Sequence, residues 1–352
     1  MKRRLLSIFL SLTMILSMVP SVWAADETKQ DDTDDTAAQE PETPGESEMS
    51  GNCGETGSED SVQWALTQNN EDSENPTYTL TISGESAMAD YNDPVPDKDG
   101  NVTEPIAPWY KALQDKADDT NHSVPITKIT VEEGVTKIGN WAFSCLTNVV
   151  KVNIPASITS LGDSIFRNDA ALTTVDWASG FNAPEITDTD SKDNAYTGYY
   201  VPTSMFDGCT SLGSGKELSA WLPDSFTGVG CAAFRGTQFT VDFDNWNNLT
   251  YIGAYGFAGM PNLDSFTLSN EITLGLRGGA SNAFNSSGLK TLTVADGIAA
   301  IPNGMFNGCE QLSSVTLADS ITTISTNAFF NTKALKNINL KNVQTINSYA
   351  FW

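Results

Sequence analysis

The sequence predicts a solenoid: a curved stack of about nine coils, with a parallel β-sheet on one face and a β-rich cap at the N-terminal end. Three observations predict it. Phenylalanine recurs at Phe143, Phe166, Phe206, Phe234, Phe257, Phe284, Phe306, Phe329 and Phe351, so nine of the sixteen Phe residues share one repeat position. The intervals are 23, 40, 28, 23, 27, 22, 23 and 22 residues, a period broken only where loops are inserted. Each copy also opens with a short run of alternating apolar and polar residues, the pattern of a strand with one buried face.

Along the chain, Lys2, Arg3 and Arg4 precede an apolar run from Leu5 to Val19, and Val22-Trp23-Ala24 supplies small residues at positions suited to cleavage. Residues 1–24 therefore read as a secretory signal peptide. The run contains Ser7, Ser11, Thr13 and Ser17 and is shorter than the roughly 20 residues a membrane-spanning helix needs. Residues 25–50 carry ten acidic residues, one Lys and two Pro, too little apolar surface to offset the entropy of ordering. They read as a disordered acidic linker.

Composition narrows the function. Among 352 residues, 44 Asp plus Glu oppose 19 Lys plus Arg, a formal net charge of -25. Such a chain is repelled by phosphate backbones and anionic lipid surfaces, so nucleic-acid binding and membrane insertion of the mature protein are not expected. The single histidine, His122, lies in the polar stretch Asn121-His122-Ser123, a poor setting for a catalytic triad or a multi-His metal site. No catalytic residue, metal or cofactor is expected.

From residue 126 to 352 the repeats run continuously. ITKITVEEGVTKIGNWAFSCLTN, from Ile126, is followed 23 residues later by VVKVNIPASITSLGDSIFRNDAA, and LKTLTVADGIAAIPNGMFNGCEQ from Leu289 keeps the template. A period in this range with Leu, Val and Ile anchors is the signature of a leucine-rich repeat solenoid. The Phe residues should stack as an interior spine, and Gly139, Gly162, Gly230 and Gly253 should mark tight turns. Val152-Asn153-Ile154-Pro155 with Ile158-Thr159-Ser160-Leu161-Gly162, and Ile138-Gly139-Asn140-Trp141-Ala142-Phe143, resemble the BspA-type leucine-rich repeat of surface and secreted proteins of gut and oral bacteria, with Firmicutes-like character. Residues 51–125, including Trp64, Tyr78–Gly84 and Pro108-Trp109-Tyr110, are similar to the segment that caps such repeats. The resemblance implies a non-enzymatic binding or adhesion module.

Repeat three carries about 17 extra residues by comparison with the 23-residue template, within Ala178 to Tyr200. Its acidic string, Asp188, Asp190 and Asp193, invites a Ca²⁺ reading. Lys192 stands at a ligand position and Asp193 where the turn glycine belongs, so a surface loop is expected. The sequence ends on the ninth anchor at Ala350-Phe351-Trp352, which suggests an uncapped last coil and a protein that continues. Cys209 and Cys309 share a template position four coils apart, beyond disulfide reach, and read as buried free thiols.

Alternation then assigns the outward rows of the sheet. One contains Lys128, Lys151, Thr174, Ser219, Thr240, Ser265, Thr291, Ser314 and Asn337. The next contains Thr130, Asn153, Asp176, Trp221, Asp242, Thr267, Thr293, Thr316 and Asn339. Both are small and polar apart from Trp221, which the alignment of Leu222-Pro223 with Ile154-Pro155 puts on the outer face between Asp176 and Asp242, with Trp246 close by. An exposed indole among carboxylates suits a sugar ring or a cationic side chain. The alternative is that the repeat-three insertion folds over Trp221 and buries it. Tyr199 and Tyr200 in that insertion are the second candidate ligand contacts. The expected function is recognition of host or neighbouring-cell surface proteins; the alternative is a carbohydrate- or cell-wall-binding module. An enzyme ranks last, because it would need a convergent acid pair that nothing in the pattern singles out.

Overall fold

The computed structural model describes residues 49–70, 74–113, 124–189, 195–277 and 279–352, within a unit that begins at Ser47. The proposed leader, residues 25–48 of the acidic linker, and His122 lie outside the described residues. The N-terminal strands β1 (Met49–Asn52), β2 (Val62–Gln68) and β3 (Tyr78–Gly84) pair antiparallel in sequence order. The short helix α1 (Pro108–Ala112) buries Trp109 and begins with the proline that the first helical turn tolerates.

The repeats supply two kinds of strand. Longer ones follow the alternating run: β4 (Ile126–Val131), β6 (Lys151–Ile154) and β8 (Thr174–Trp177) in the first coils. Two-residue strands precede each Phe turn, beginning with β5 (Lys137–Ile138) and β7 (Ser160–Leu161). The insertion forms a hairpin of β9 (Ile186–Thr189) and β10 (Ala195–Gly198), and is followed by β11 (Tyr200–Val201) and helix α2 (Leu218–Trp221). Then come β12 (Gly228–Val229), β13 (Tyr251–Ile252), β14 (Ser265–Leu268), β15 (Thr273–Leu274) and β16 (Thr291–Val294). The last are β17 (Ala300–Ile301), β18 (Ser314–Thr316), β19 (Thr323–Ile324) and β20 (Thr345–Ile346).

Each coil adds one strand in register: Lys128 pairs with Lys151 and Lys151 with Thr174, while Ile129, Val152 and Val175 fall in one inward column. The cap enters the same sheet, because β3 pairs parallel with β4 and the order is β1-β2-β3-β4-β6-β8. A second long-strand sheet, β14-β16-β18, resumes the pattern further along. The short strands form ladders of their own, β5-β7, β11-β12-β13-β15 and β17-β19-β20, so strands line two sides of the coil rather than the single face the alternation predicted.

The Phe turn makes the third side. The N–H groups of Trp141, Phe143 and Cys145 donate to the carbonyls of Asp163, Ile165 and Arg167 in the next coil at 2.9, 3.0 and 2.7 Å. From Phe143 to Phe329, the residues two before and two after each Phe have positive φ, which turns alternate peptide groups the same way. The first turn meets the cap through Tyr91 N–H donating to Asn140 O, and the Tyr110 hydroxyl donating to Ser144 O. Inside, the rings stack at 5.6–5.7 Å from Phe143 through Phe166 and Phe206 to Phe234. The stack resumes at Phe257 and runs through Phe284, Phe306 and Phe329 to Phe351. Trp109 of the cap lies on its first member at 5.5 Å.

The turn glycines have a different reason from the one predicted. Gly139, Gly162, Gly230 and Gly253 are not among the positive-φ residues. A Cβ on Gly253 would lie 2.5 Å from Cys231 N, and one on Gly139 1.8 Å from Ala89 O. These positions need glycine because the backbone of the preceding coil, or of the cap, lies against them.

Candidate functional site

The outward rows hold over six long strands. Lys128, Lys151 and Asp176 are exposed at the N-terminal end; Ser265, Thr267, Thr293, Ser314 and Thr316 are exposed on the later strands. Asp176 pairs with Lys151 at 2.7 Å.

Between the two sheets the prediction fails at Trp221. Residues Leu218–Trp221 are a helical turn instead of a strand, because the Glu217 carboxylate caps it, accepting from the N–H groups of Ser219 (3.0 Å) and Ala220 (2.8 Å). The turn swings Trp221 inward, where its ring centroid lies 4.8 Å from Phe239, 5.7 Å from Phe206 and 6.0 Å from Trp177. Trp246 is only 7 % exposed and sits edge-on to Phe257. Trp246 is therefore a core residue and Trp221 is half-buried with its ring packed against the core, so the two indoles do not stand with Asp176 and Asp242 as an open outer-face group. Asp242 is exposed and accepts from Asn245 Nδ2 at 2.6 Å. Trp177, the last residue of β8, helps to cover Trp221 and itself meets Phe181 at the start of the insertion, and Phe226.

The remainder of the insertion builds a cavity. Its hairpin lies over the β11-β12-β13-β15 ladder, with Tyr196 and Tyr200 on Tyr251 at centroid distances of 5.1 and 4.5 Å. Tyr200 is buried and Tyr199 is exposed, so the two expected contacts part. Asp188 Oδ2 accepts the Tyr251 hydroxyl at 2.8 Å and the Cys231 N–H at 3.2 Å, which ties the hairpin down. Beneath it is a cavity of about 230 Å³ whose lining includes Asp163, Asp188, Thr203, Cys231, Tyr251 and Arg277. Asp163 is exposed at its outer edge, yet desolvation at the cavity mouth, reinforced by the Asp188 charge, pushes its carboxyl up to about 6. Sequence reasoning named Asp188 only as part of an acidic string and missed Asp163, Tyr251 and Arg277, because the docking of an insertion is not periodic. The glycine of Tyr251-Ile252-Gly253 shares its template place with Gly275, so coil-to-coil adjacency could have paired Tyr251 with the Arg277 turn.

Asp188 is taken up in these internal bonds, and Asp190 and Asp193 lie outside the described residues. Among the described residues, no group of three His, Cys, Asp or Glu side chains is arranged to hold a metal ion, and no helix is long and apolar enough to cross a membrane. All five cysteines are free; Cys209 and Cys309 are buried, and their thiols donate to the carbonyls of Phe166 and Phe284 at 3.0 Å.

With the coil geometry in place, the chain matches the family described as BspA type leucine rich repeat region, in six copies over residues 120–188, 199–274 and 229–352. The chain belongs to this family. Among solved structures it is similar to a leucine-rich repeat protein from Eubacterium ventriosum, at 19 % identity over 86 % of this chain and 94 % of that one, with a TM-score of 0.40. It is also similar to the pneumococcal vaccine antigen PcpA, at 18 % identity over 82 % and 77 % of the two chains, TM-score 0.47. A leucine-rich repeat protein from Bacteroides ovatus matches at 16 % identity over 80 % and 89 %, TM-score 0.38. No curated protein matches this chain.

Proposed function

We propose that this BspA-type chain is a non-enzymatic, exported module that binds proteins of a host or neighbouring cell surface on the outward side of its long-strand sheets. The observation that carries the reading is the surface itself: two sheets, each with three repeat strands in register, whose outward residues are small polar groups and a few charges, without a large aromatic. A polar face of this kind meets another protein through many hydrogen bonds and rim charges. The carbohydrate alternative depended on an exposed indole to stack on a sugar ring, whereas Trp246 is in the core and Trp221 is half-buried with its ring packed against aromatic core side chains. On that face Asp176 is engaged by Lys151.

The test is to immobilise the full chain and measure saturable binding to a panel of purified extracellular-matrix and cell-surface proteins, alongside a glycan array. Binding to one or more of the proteins, with no glycan signal, is expected. Glycan binding without protein binding would replace this reading with the carbohydrate one.

A further inference from the structure

The cavity beneath the insertion hairpin has two charged poles, an acidic one at Asp163 and Asp188 and a basic one at Arg277, and Asp188 is held in place by the hydrogen bonds it accepts from Tyr251, Cys231 and Thr203. At its mouth, the Asp163 carboxyl is desolvated and faces the negative Asp188 and Asp90, with one backbone hydrogen bond from Thr203 and, among the described residues, no cation acting on it. At the other wall, Arg277 Nη1 makes its contact, among the described residues, with the Cys231 sulfur at 3.6 Å, a weak acceptor. Cys231 spans the gap: its N–H is held by Asp188 while its Sγ faces the guanidinium, so the acidic and basic poles stand one residue's width apart. The wall between them carries Thr203, and Tyr251, whose ring is held by Tyr196 and Tyr200. The cavity volume of about 230 Å³ is below the range of roughly 300–1,000 Å³ that holds drug-sized ligands. It suits a molecule the size of a single amino acid.

We propose that this cavity binds a small zwitterion, a free α-amino acid, with its ammonium on Asp163 beside Asp188 and its carboxylate on Arg277. A charge-assisted hydrogen bond at each end supplies the specificity, because a ligand with only one charge leaves the opposite pole unpaired. The site is separate from the sheet face and does not depend on protein binding there. The groups facing Asp163 are Asp188 on the hairpin, Asp90 in the cap, the Thr203 backbone, which hydrogen-bonds to it, and Cys231, Tyr251 and Arg277 across the cavity. Protonation of Asp163, with its carboxyl near 6, should weaken the ammonium pole on acidification. At pH 5 only about a tenth of such a group is ionised.

The probe is L-norvaline, titrated calorimetrically into the full chain beside its two halves, n-butylamine and pentanoate. Norvaline should bind at least about tenfold more tightly than either half, and about tenfold more weakly at pH 5 than at pH 7.5. Asp163→Asn and Arg277→Gln should each weaken it about tenfold. No saturable norvaline binding, or a half-ligand that binds as well as norvaline, overturns the proposal. Unchanged affinity in both variants overturns it as well. If a variant does not fold, the half-ligand comparison on the unmodified chain decides alone.

Discussion

Replacing Phe257 with Ala removes a ring that is fully buried and meets three others: Phe284 stacked at 5.7 Å, Phe243 edge-on at 5.3 Å and Trp246 at 6.3 Å. Phe→Ala in a packed core costs about 3–5 kcal/mol, the lost transfer energy plus the cavity left behind. The upper half of that range applies here. The void opens between backbone ladders that cannot close, because Phe257 N–H is bonded to Ala283 O and the Gly256 carbonyl to Phe234 N–H. Each ring pair lost adds roughly 0.5–1.5 kcal/mol. Exposed Thr293 is the control; Thr293→Ala should stay within about 0.5 kcal/mol. The assay is urea denaturation followed by far-ultraviolet circular dichroism and Trp fluorescence, with coincidence of the two probes checked, because repeat arrays can unfold in parts. A thermal melt should show a drop of about 10 °C for the Phe variant. Equal, small losses in both variants would refute the claim that the Phe column is the core.

Other expectations follow from single positions. Asp169 is fully buried, with one oxygen accepting from Leu146 N–H and the other without a partner, so burial raises its carboxyl well above the usual range. The folded state thus holds the proton more tightly than the unfolded one, and stability falls as pH rises from about 4 through the folded value. Asp169→Asn should therefore melt higher than the parent at pH 7, with the gap gone near pH 3; a lower melting temperature at pH 7 would contradict this. Gly253→Ala, with its Cβ 2.5 Å from backbone nitrogen, should cost about 1–3 kcal/mol by overpacking in a denaturant melt. Gly236→Ala meets open space but sits at φ 80° and should lose about 1–2 kcal/mol through backbone strain alone. A thiol reagent on the native chain should label half-buried Cys145 ahead of buried Cys209 and Cys309.

Which parts of the molecule the sequence announces follows from what repeats. Each coil must fill the same interior volume, so the Phe column and the Val152–Val175 type of pairing are written at a fixed spacing and can be read directly. The left-handed residues beside each Phe were also written there, as Phe206-Asp-Gly208, Phe234-Arg-Gly236, Phe257-Ala-Gly259 and Phe306-Asn-Gly308, with Asn at 168 and 331. The glycines after Ile serve close approach instead. Trp221 departs from the outward row because strand alternation stops at Glu217, whose capping carboxylate closes a helical turn over Leu218–Trp221. The cavity was out of reach for the opposite reason. The insertion occurs once, and its contact with Tyr251, 63 residues away, leaves no period to detect.

The outer sheet face is tested most directly by a triple variant, Thr267→Arg, Thr293→Arg and Thr316→Arg. These positions pair side by side across β14, β16 and β18. Exposed and outside the core, they should leave the melt unchanged while placing three long cations on the face. Against whichever extracellular protein the unmodified chain binds, the triple variant should lose at least about tenfold in affinity, while norvaline binding at the hairpin cavity stays the same. Full retention of protein binding by a folded triple variant would contradict the assignment of function to this face.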